Sequence, residues 1–569
     1  MRTQVSRNPD RTDHVADGPW RRIHPALVGL FALYACLVVY WAWEGGDPYY
    51  NNDEPRHLTT GAFWCDFLRE LPFDDPVGFA KRYFVQYPNL GLLAGPPLFP
   101  MVEGLAFRIG GVSAASASAV MAVFMAVFLV GWWLWIREYM DEVAAVWATL
   151  LAALVSDVFR LSGHVMLEVP LLAWMTVAVV TFRSYLRTER SGRLWLACGA
   201  VTAAMLTRFH APIVLGPLLV QFVVSGKWQL LRRGGFWLPV LVGAGICGAY
   251  CAFSMSYYHT WHTFLDRSGF AAPGRLARDV AASLGWAPSV IGLAGVLGAL
   301  ALPRLRRCYP WPLAAWVGAS VVMWLSITIR PVRYLVYAWP AMVALGIWTL
   351  FALADRMRLR NLAHGLAALA VVVAAWQIHV SRRPGLEGYG NAAAEAMAAS
   401  QTRRIFFHGR QDGSFIWNVR RNDPELAYTV FRASKTLSTG EPVVMKDFQA
   451  LAESPEQILA RLDGLGVDVV VSEDKPEIDA PPYHTFMNLL SSERFVPIGQ
   501  VDLRNSDGRI QARRLTLYRY RSAAPASKRI TIPLTALGPG AELEVDLSRP
   551  LRGWRGGGVT AAVPEGVAN

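Results

Sequence analysis

The chain has 569 residues, of which 53% are hydrophobic and only 17% charged, a balance that excludes a purely soluble enzyme. With 22 Trp and a mean hydropathy of +0.27, it suits a polytopic membrane protein whose apolar residues fall in runs long enough to cross a bilayer. The formal net charge of +12 points to membrane orientation and away from nucleic acid, because many Arg and Lys sit in short loops between those runs.

Eleven runs are predicted to cross as helices, at about 25–43, 115–136, 143–157, 169–183, 194–207, 211–225, 236–255, 286–302, 310–328, 334–353 and 364–380. The first follows a polar, Arg-bearing tail and has no small-residue cleavage site behind it, so it reads as a retained anchor. Sidedness follows from the positive-inside rule. Arg2, Arg7, Arg11, Arg21 and Arg22 precede the first run, and Arg183, Arg187, Arg190 and Arg193 follow the fourth. Three later loops on the same face hold Lys227, Arg232 and Arg233, then Arg304, Arg306 and Arg307, then Arg356, Arg358 and Arg360. Eleven crossings put everything after Val380 outside. Residues 96–112 are apolar but short and carry Glu103 and Arg108, so they read as a helix lying on the outer leaflet. Of six Cys, Cys36, Cys198, Cys247 and Cys251 lie in apolar runs, which implies no disulfide framework.

The resulting fold class is a polytopic α-helical membrane protein with a C-terminal soluble α/β domain. Its parts are a cytoplasmic tail (1–24), a transmembrane part (25–380) with a large external loop (44–114), an extracytoplasmic α/β domain (381–522), and a stretch (523–569) combining a β-hairpin with a disordered, Gly-rich end. Long loops commonly carry function. In this one PRHLTTGAFWCDFLREL is predicted as an amphipathic helix, opened by Tyr49 to Glu54 with Pro55 in its first turn. Acids at a helix start often only cap it and offset its dipole, and that reading applies to Asp53 and Glu54 as well. Downstream, IFFHG, VDVVVSE, FVPIGQVDL and RRLTLYRYR read as strands, and RITIPLTAL with AELEVDL as the hairpin. No metal-ligand spacing, phosphate loop or nucleophile elbow occurs there, and acceptor binding and lid packing are equal readings.

Ionisable residues gather at the external ends of the runs: Asp53 and Glu54, Asp157 and Glu168, Arg208 and His210, then Tyr257 to Arg267, then Arg330 and Arg333. Each alone is an ordinary snorkelling or capping residue. Together they supply a carboxylate able to take a proton from a hydroxyl and guanidinium forks able to hold a phosphate, the parts of a transferase with a lipid-linked donor.

The motifs NDEPRHL (52–58), GPPLFPMVEGLAFRIGG (95–111), HVMLEVPLLAWM (164–175), LTRFHAPIVLGPLL (206–219) and RYLVYAWPAMVALG (333–346) resemble those of polytopic glycosyltransferases of the GT-C class. The likeness is to the aminoarabinose transferase and protein mannosyltransferase group. It implies that Asp53 is the catalytic base, supported by Glu54 and Arg56, and that Glu168, where the family has Asp, is a second acid. It further implies that Arg208, where relatives carry Lys, and Arg267, Arg330 and Arg333 with Tyr334 handle the lipid phosphate, with His259 and His262 beside them. Partners so implied are a polyprenyl-phosphate-sugar donor and a glycan, lipid or protein acceptor, at the outer face of a bacterial inner membrane. No cofactor or metal is implied. The aminoarabinose branch has a Glu-Lys pair where this chain has Ala94 and Gly95, which argues against that branch's detailed site and leaves the sugar open.

A transporter or flippase for a lipid-linked glycan is the alternative; it would place charge near the bilayer midplane on repeated, broken helices, whereas the run centres here are mostly apolar. A sensor is a third reading, for which eleven spans are excessive.

Overall fold

The computed structural model describes residues 25–43, 45–92, 95–257, 273–301, 309–327, 332–381, 385–441, 446–475, 479–505, 510–522, 527–533, 542–548 and 550–554. The helices, in chain order, are α1 (Pro25–Ala42), α2 (Asp53–Glu70), α3 (Pro76–Gln86), α4 (Leu98–Gly110), α5 (Ala114–Ile136), α6 (Glu142–Ala153), α7 (Ser156–Gly163) and α8 (Glu168–Thr188). Next come α9 (Ser191–Met205), α10 (Leu215–Ser225), α11 (Gly234–Tyr257), α12 (Pro273–Leu284), α13 (Trp286–Ala301), α14 (Trp311–Ser326), α15 (Trp339–Met357) and α16 (Arg360–Ser381).

All eleven apolar runs hold a helix. By length and composition six described helices can cross a membrane (α1, α5, α8, α11, α15, α16), and α6 with α7, bent by 60° at their break, make a seventh if they form one span. In α9, α10, α13 and α14 the helices are 15, 11, 16 and 16 residues long, below the roughly 20 that a full hydrocarbon core calls for. The fold is multi-pass, but its crossings are uneven. α1, α11 and α16 leave most of their surface open for lipid, whereas α5, α8 and α15 are largely buried.

Close packing inside this bundle relies on small residues, because lipid supplies no hydrophobic drive between helices. Gly292, Gly295 and Gly298 repeat every three residues along α13 and lie against Met342, Gly346 and Thr349 of α15. At Gly295 and Gly346 the other helix's backbone occupies the space a Cβ would need. Further along, Trp132 and Trp135 of α5 meet Trp316 of α14 with ring centroids 5.5 and 5.3 Å apart.

After α16 come α17 (Tyr389–Ala399), α18 (Asp412–Arg421), α19 (Ala433–Thr436), α20 (Pro455–Leu465) and α21 (Pro481–Leu489). The strands are β1 (Arg404–His408), β2 (Thr429–Arg432), β3 (Ser438–Glu441), β4 (Lys446–Ala450), β5 (Val469–Glu473), β6 (Phe495–Asp502), β7 (Arg514–Tyr520), β8 (Arg529–Pro533) and β9 (Glu542–Asp546). β1 is parallel to β2 and β5, and β7 is antiparallel to β5 and β6, giving a sheet of order β2-β1-β5-β7-β6. β3 with β4, and β8 with β9, form antiparallel pairs. Val469, Val470 and Val471 are fully buried because both faces of the sheet are covered. One face packs on α20 and α21, and the other shares a core with Phe63, Phe79, Tyr83 and Tyr87 of the loop after α1.

Polar bonds seal the same junction. Asp47 N–H donates to the Leu386 carbonyl at 2.6 Å, and its carboxylate accepts the Tyr389 and Gly390 amides at 2.8 and 3.0 Å. Arg420, 2% exposed, donates from Nε to Asp66 at 3.1 Å and to the Tyr83 hydroxyl at 2.7 Å, while Tyr87 donates to Asp423 at 2.6 Å. The sheet is thereby fastened to α2 and α3, the helices that carry the start of that loop.

Gly346→Leu is expected to cost about 1–3 kcal/mol, since the added side chain must push α13 off α15. A lowered unfolding temperature of the detergent-solubilised protein checks this.

Candidate active site

The site is built at the N-terminus of α2. A 3₁₀ turn, Tyr50–Asn52, leads in, and Asn52 adopts a left-handed φ of 56°. Asn tolerates that region better than most residues, and the reversal turns the next two side chains in different directions. Both are acids at a helix start, yet they do different things. Glu54 is buried and binds locally: its Oε2 accepts the Tyr49 and Tyr50 amides at 3.2 and 3.3 Å and faces His164 Nδ1 at 3.1 Å, while Oε1 accepts the Val165 amide at 3.0 Å. Burial favours its neutral form, but His164 and these N–H groups prevail and hold its pKa below the usual carboxylate range. Glu54 therefore ties α2 to the turn before α8.

Asp53 instead faces cations. Arg333 Nη2 lies 2.9 Å from its Oδ2, and Arg56, one turn along α2, pairs with Oδ1. Its side chain keeps 21% of its exposure. Burial alone would raise the pKa, but Arg56, Arg333 and His57 together hold it at about 2. His57, on the same helix, is pressed to about 3 by burial and by Arg56, so it is neutral near pH 7.

A second ion pair stands behind the first. Glu168, at the first turn of α8, is fully buried with Arg208 Nη1 at 3.0 Å from its Oε1. Arg208 and Arg333 both lie over the Tyr334 ring, each 5.1 Å from its centroid, and the ring of His210 is 4.5 Å from Tyr334. Arg208 Nε donates to His210 Nδ1 at 3.3 Å, and burial with the two guanidiniums keeps His210 neutral, well below its ordinary pKa. Arg333 also donates to the Tyr334 hydroxyl at 3.3 Å. Burial opposes the charge of Arg333, but Glu168 and Asp53 keep it protonated. Among the described residues its Nε and Nη1 are buried and have no hydrogen-bond partner. A guanidinium with two donors left over beside a carboxylate is a ready seat for an anionic oxygen.

Nearby segments close the site. Thr60 accepts the Gly91 amide at 3.0 Å, Tyr250 of α11 donates to the Gly95 carbonyl at 2.9 Å, and the Leu98 amide donates to the Leu206 carbonyl at 2.9 Å. Asp157 pairs with Arg160 at 2.8 Å, and Arg160 lies over the Tyr50 ring at 5.1 Å. Glu103 on α4 packs against Gly61 of α2, fully buried and with neither oxygen bonded among the described residues. Burial, and then the charge of Glu54, raise its pKa well above the ordinary value.

Of the residues expected from the sequence, the structure brings together Asp53, Arg56, Arg333, Tyr334, Arg208 and Glu168, with Glu54 adjoining. His259, His262, Arg267 and Arg330 lie outside the described residues. His57 and His164 were not picked out. The spacing of His57 four residues after Asp53, on one helix face, is the signal that marks it; His164 opens the motif at 164–175, but nothing local shows its partner, which is 110 residues away.

With this geometry in hand, comparison with known proteins gives a consistent result. The model of the dolichyl-phosphate-mannose-protein mannosyltransferase family matches residues 94–250. Among solved structures, ArnT from Cupriavidus metallidurans bound to undecaprenyl phosphate is similar with a TM-score of 0.57 at 14% identity, covering 89% of this chain and 100% of that one. Its apo form gives 0.56 at 14% identity, over 88% and 99%. The Archaeoglobus fulgidus oligosaccharyltransferase in the apo form gives 0.51 at 14% identity, over 87% and 76%. No curated protein matches. The resemblance to GT-C glycosyltransferases read from the motifs is borne out as a resemblance, by the family model over residues 94–250 and by a polytopic fold shared with these solved structures.

Glu54→Gln keeps the shape but removes a buried charge that several N–H groups require, and is expected to cost about 2 kcal/mol. Thermal unfolding in detergent checks this, with Asp53→Asn, whose carboxylate is part-exposed, expected to cost less.

Proposed function

We propose that this protein is a membrane glycosyltransferase that moves a sugar from a polyprenyl-phosphate donor to an acceptor hydroxyl on the extracytoplasmic face. The observation that carries it is the pairing of Asp53 with Arg333, two residues 280 positions apart, beside Arg333 donors that lack a partner among the described residues. In this reading the eleven helical runs each cross the membrane, 381–522 is an extracytoplasmic domain, and the membrane is the inner membrane of a bacterium. The ArnT structure was solved with undecaprenyl phosphate, which supports a lipid phosphate as the donor's carrier.

The step is a single displacement. Asp53 takes the proton of the acceptor hydroxyl as its oxygen bonds to the anomeric carbon, and the bond from that carbon to the phosphate oxygen breaks on the opposite side. The electron pair leaves with the polyprenyl phosphate, so the configuration inverts. Arg333 and Arg208 meet the charge that grows on the departing phosphate, which lowers the barrier because their forks are already in place. Glu168 holds Arg208 and Arg333 oriented, and Glu54 holds α2 against the turn before α8. Arg333 is shared between base and leaving group: when phosphate draws on its guanidinium, Asp53 loses part of the field that keeps its pKa near 2 and becomes a stronger base.

Asp53→Asn is expected to lower transfer by about 10²- to 10⁴-fold with the protein still inserted, measured as loss of the glycoconjugate by mass spectrometry of cell envelopes. Full transfer by this variant contradicts the base assignment. Arg333→Ala is expected to weaken donor use by about 10- to 100-fold, the value of a lost charged hydrogen bond. The sign of its pH effect follows from Asp53. Without that cation the carboxyl pKa rises from about 2, so the residual activity dies away at a higher pH than in the parent as pH falls. A rate-against-pH profile checks this; an unmoved acid limb contradicts it.

A further inference from the structure

A short polar chain links the C-terminal sheet to the residue that precedes Asp53. Asp412, the first residue of α18, accepts the Asn52 side-chain amide on Oδ1 at 2.8 Å and Arg432 Nη1 on Oδ2 at 2.9 Å. Arg432 ends β2, so the chain starts in the sheet. Asp412 is 3% exposed and Asn52 carries the left-handed φ that sets the direction of Asp53. The seat is tight: a Cβ at Gly413 would run into the Asn52 amide, lie 2.7 Å from Asn89 Nδ2 and 3.0 Å from Pro55. α18 thus rests on residues on both sides of Asp53.

Attachment of the sheet does not depend on this chain. Asp47 with Tyr389 and Gly390, Asp66 with Arg420, and Tyr87 with Asp423 fasten it elsewhere, over a shared apolar core. What Asp412 holds is the side chain of Asn52, the residue that leads directly into Asp53. In a displacement, an error of about 1 Å in the position of a reacting group costs on the order of 10²-fold.

We propose that Asn52, Asp412 and Arg432 are positioning residues for transfer, so that the C-terminal part of the chain fixes the aim of Asp53. The proposal rests on the reading of Asp53 as base. Asn52→Ala, Asp412→Ala and the double variant are made in the full chain. Transfer is read by mass spectrometry of envelope glycoconjugates, and binding of undecaprenyl phosphate by the purified proteins in lipid nanodiscs. Each single variant is expected to lose about ten-fold or more in transfer, the double no more than either single, because all three break one linkage. Undecaprenyl phosphate affinity is expected to stay close to the parent throughout, and so is the unfolding temperature of Asn52→Ala; Asp412→Ala, which leaves Arg432 without its acceptor, is expected to unfold lower, and Asp412→Asn, which keeps an oxygen for Asn52 but turns an NH2 towards Arg432, to recover part of the transfer. Full transfer in the single variants, losses that multiply in the double, or, in Asn52→Ala, an equal fall in phosphate binding and unfolding temperature would overturn the proposal. If Asp53→Asn itself transfers normally, the base reading fails, and hydrogen exchange then decides the linkage alone: faster exchange of the 50–56 amides in Asp412→Ala upholds it, and unchanged exchange refutes it.

Discussion

Burial at the mouth of the bundle works against the charge of Asp53, and cations that reach it from two directions restore it. Arg56 comes from its own helix; Arg333 comes from the turn before α15, across the bundle. That second pair requires α2 to lie along one end of the bundle and α15 to be seated among its neighbours. The glycine stripe of α13 against α15, the Glu54 bonds to Val165 and His164, and the sheet clamped on α2 and α3 all serve that requirement.

The same arrangement fits the proposed phosphate-linked donor better than transport. Glu168 and Asp53 hold two guanidiniums on one tyrosine ring, and one of these keeps donors that no group among the described residues accepts. An anion there meets groups already oriented, so little reorganisation remains when charge develops on it. The two carboxylates prevent the guanidiniums from repelling each other apart while the site is empty of anion.

Much of this was legible in the chain because sidedness is a strong constraint. Once the Arg-rich loops were assigned to one face, Asp53, Glu168, Arg208 and Arg333 had to share the other, and the structure has them in contact or one residue removed. What sidedness could not convey was direction. Asp53 and Glu54 are neighbours with the same chemistry, and only the left-handed turn at Asn52 and the backbone of Val165 separate an outward carboxylate from one bound inside. His57 was passed over because it lies inside a helix that reads as amphipathic packing. The link from Asn52 to Asp412 spans 360 residues and has no local pattern at all. Apolar runs also overstate helix length: the run at 211–225 begins with a 3₁₀ turn at Ala211–Val214 that delays α10, so composition marks the segment without marking how far it reaches.

The central claim, that carboxylate and guanidinium meet where a lipid phosphate binds, is tested most directly by a cryo-electron microscopy map of the full chain in lipid nanodiscs with undecaprenyl phosphate. The account requires phosphate density within hydrogen-bond reach of Arg333, with the Asp53 carboxylate facing the same space. Phosphate density remote from Arg333, or Asp53 turned into open solvent, would contradict it.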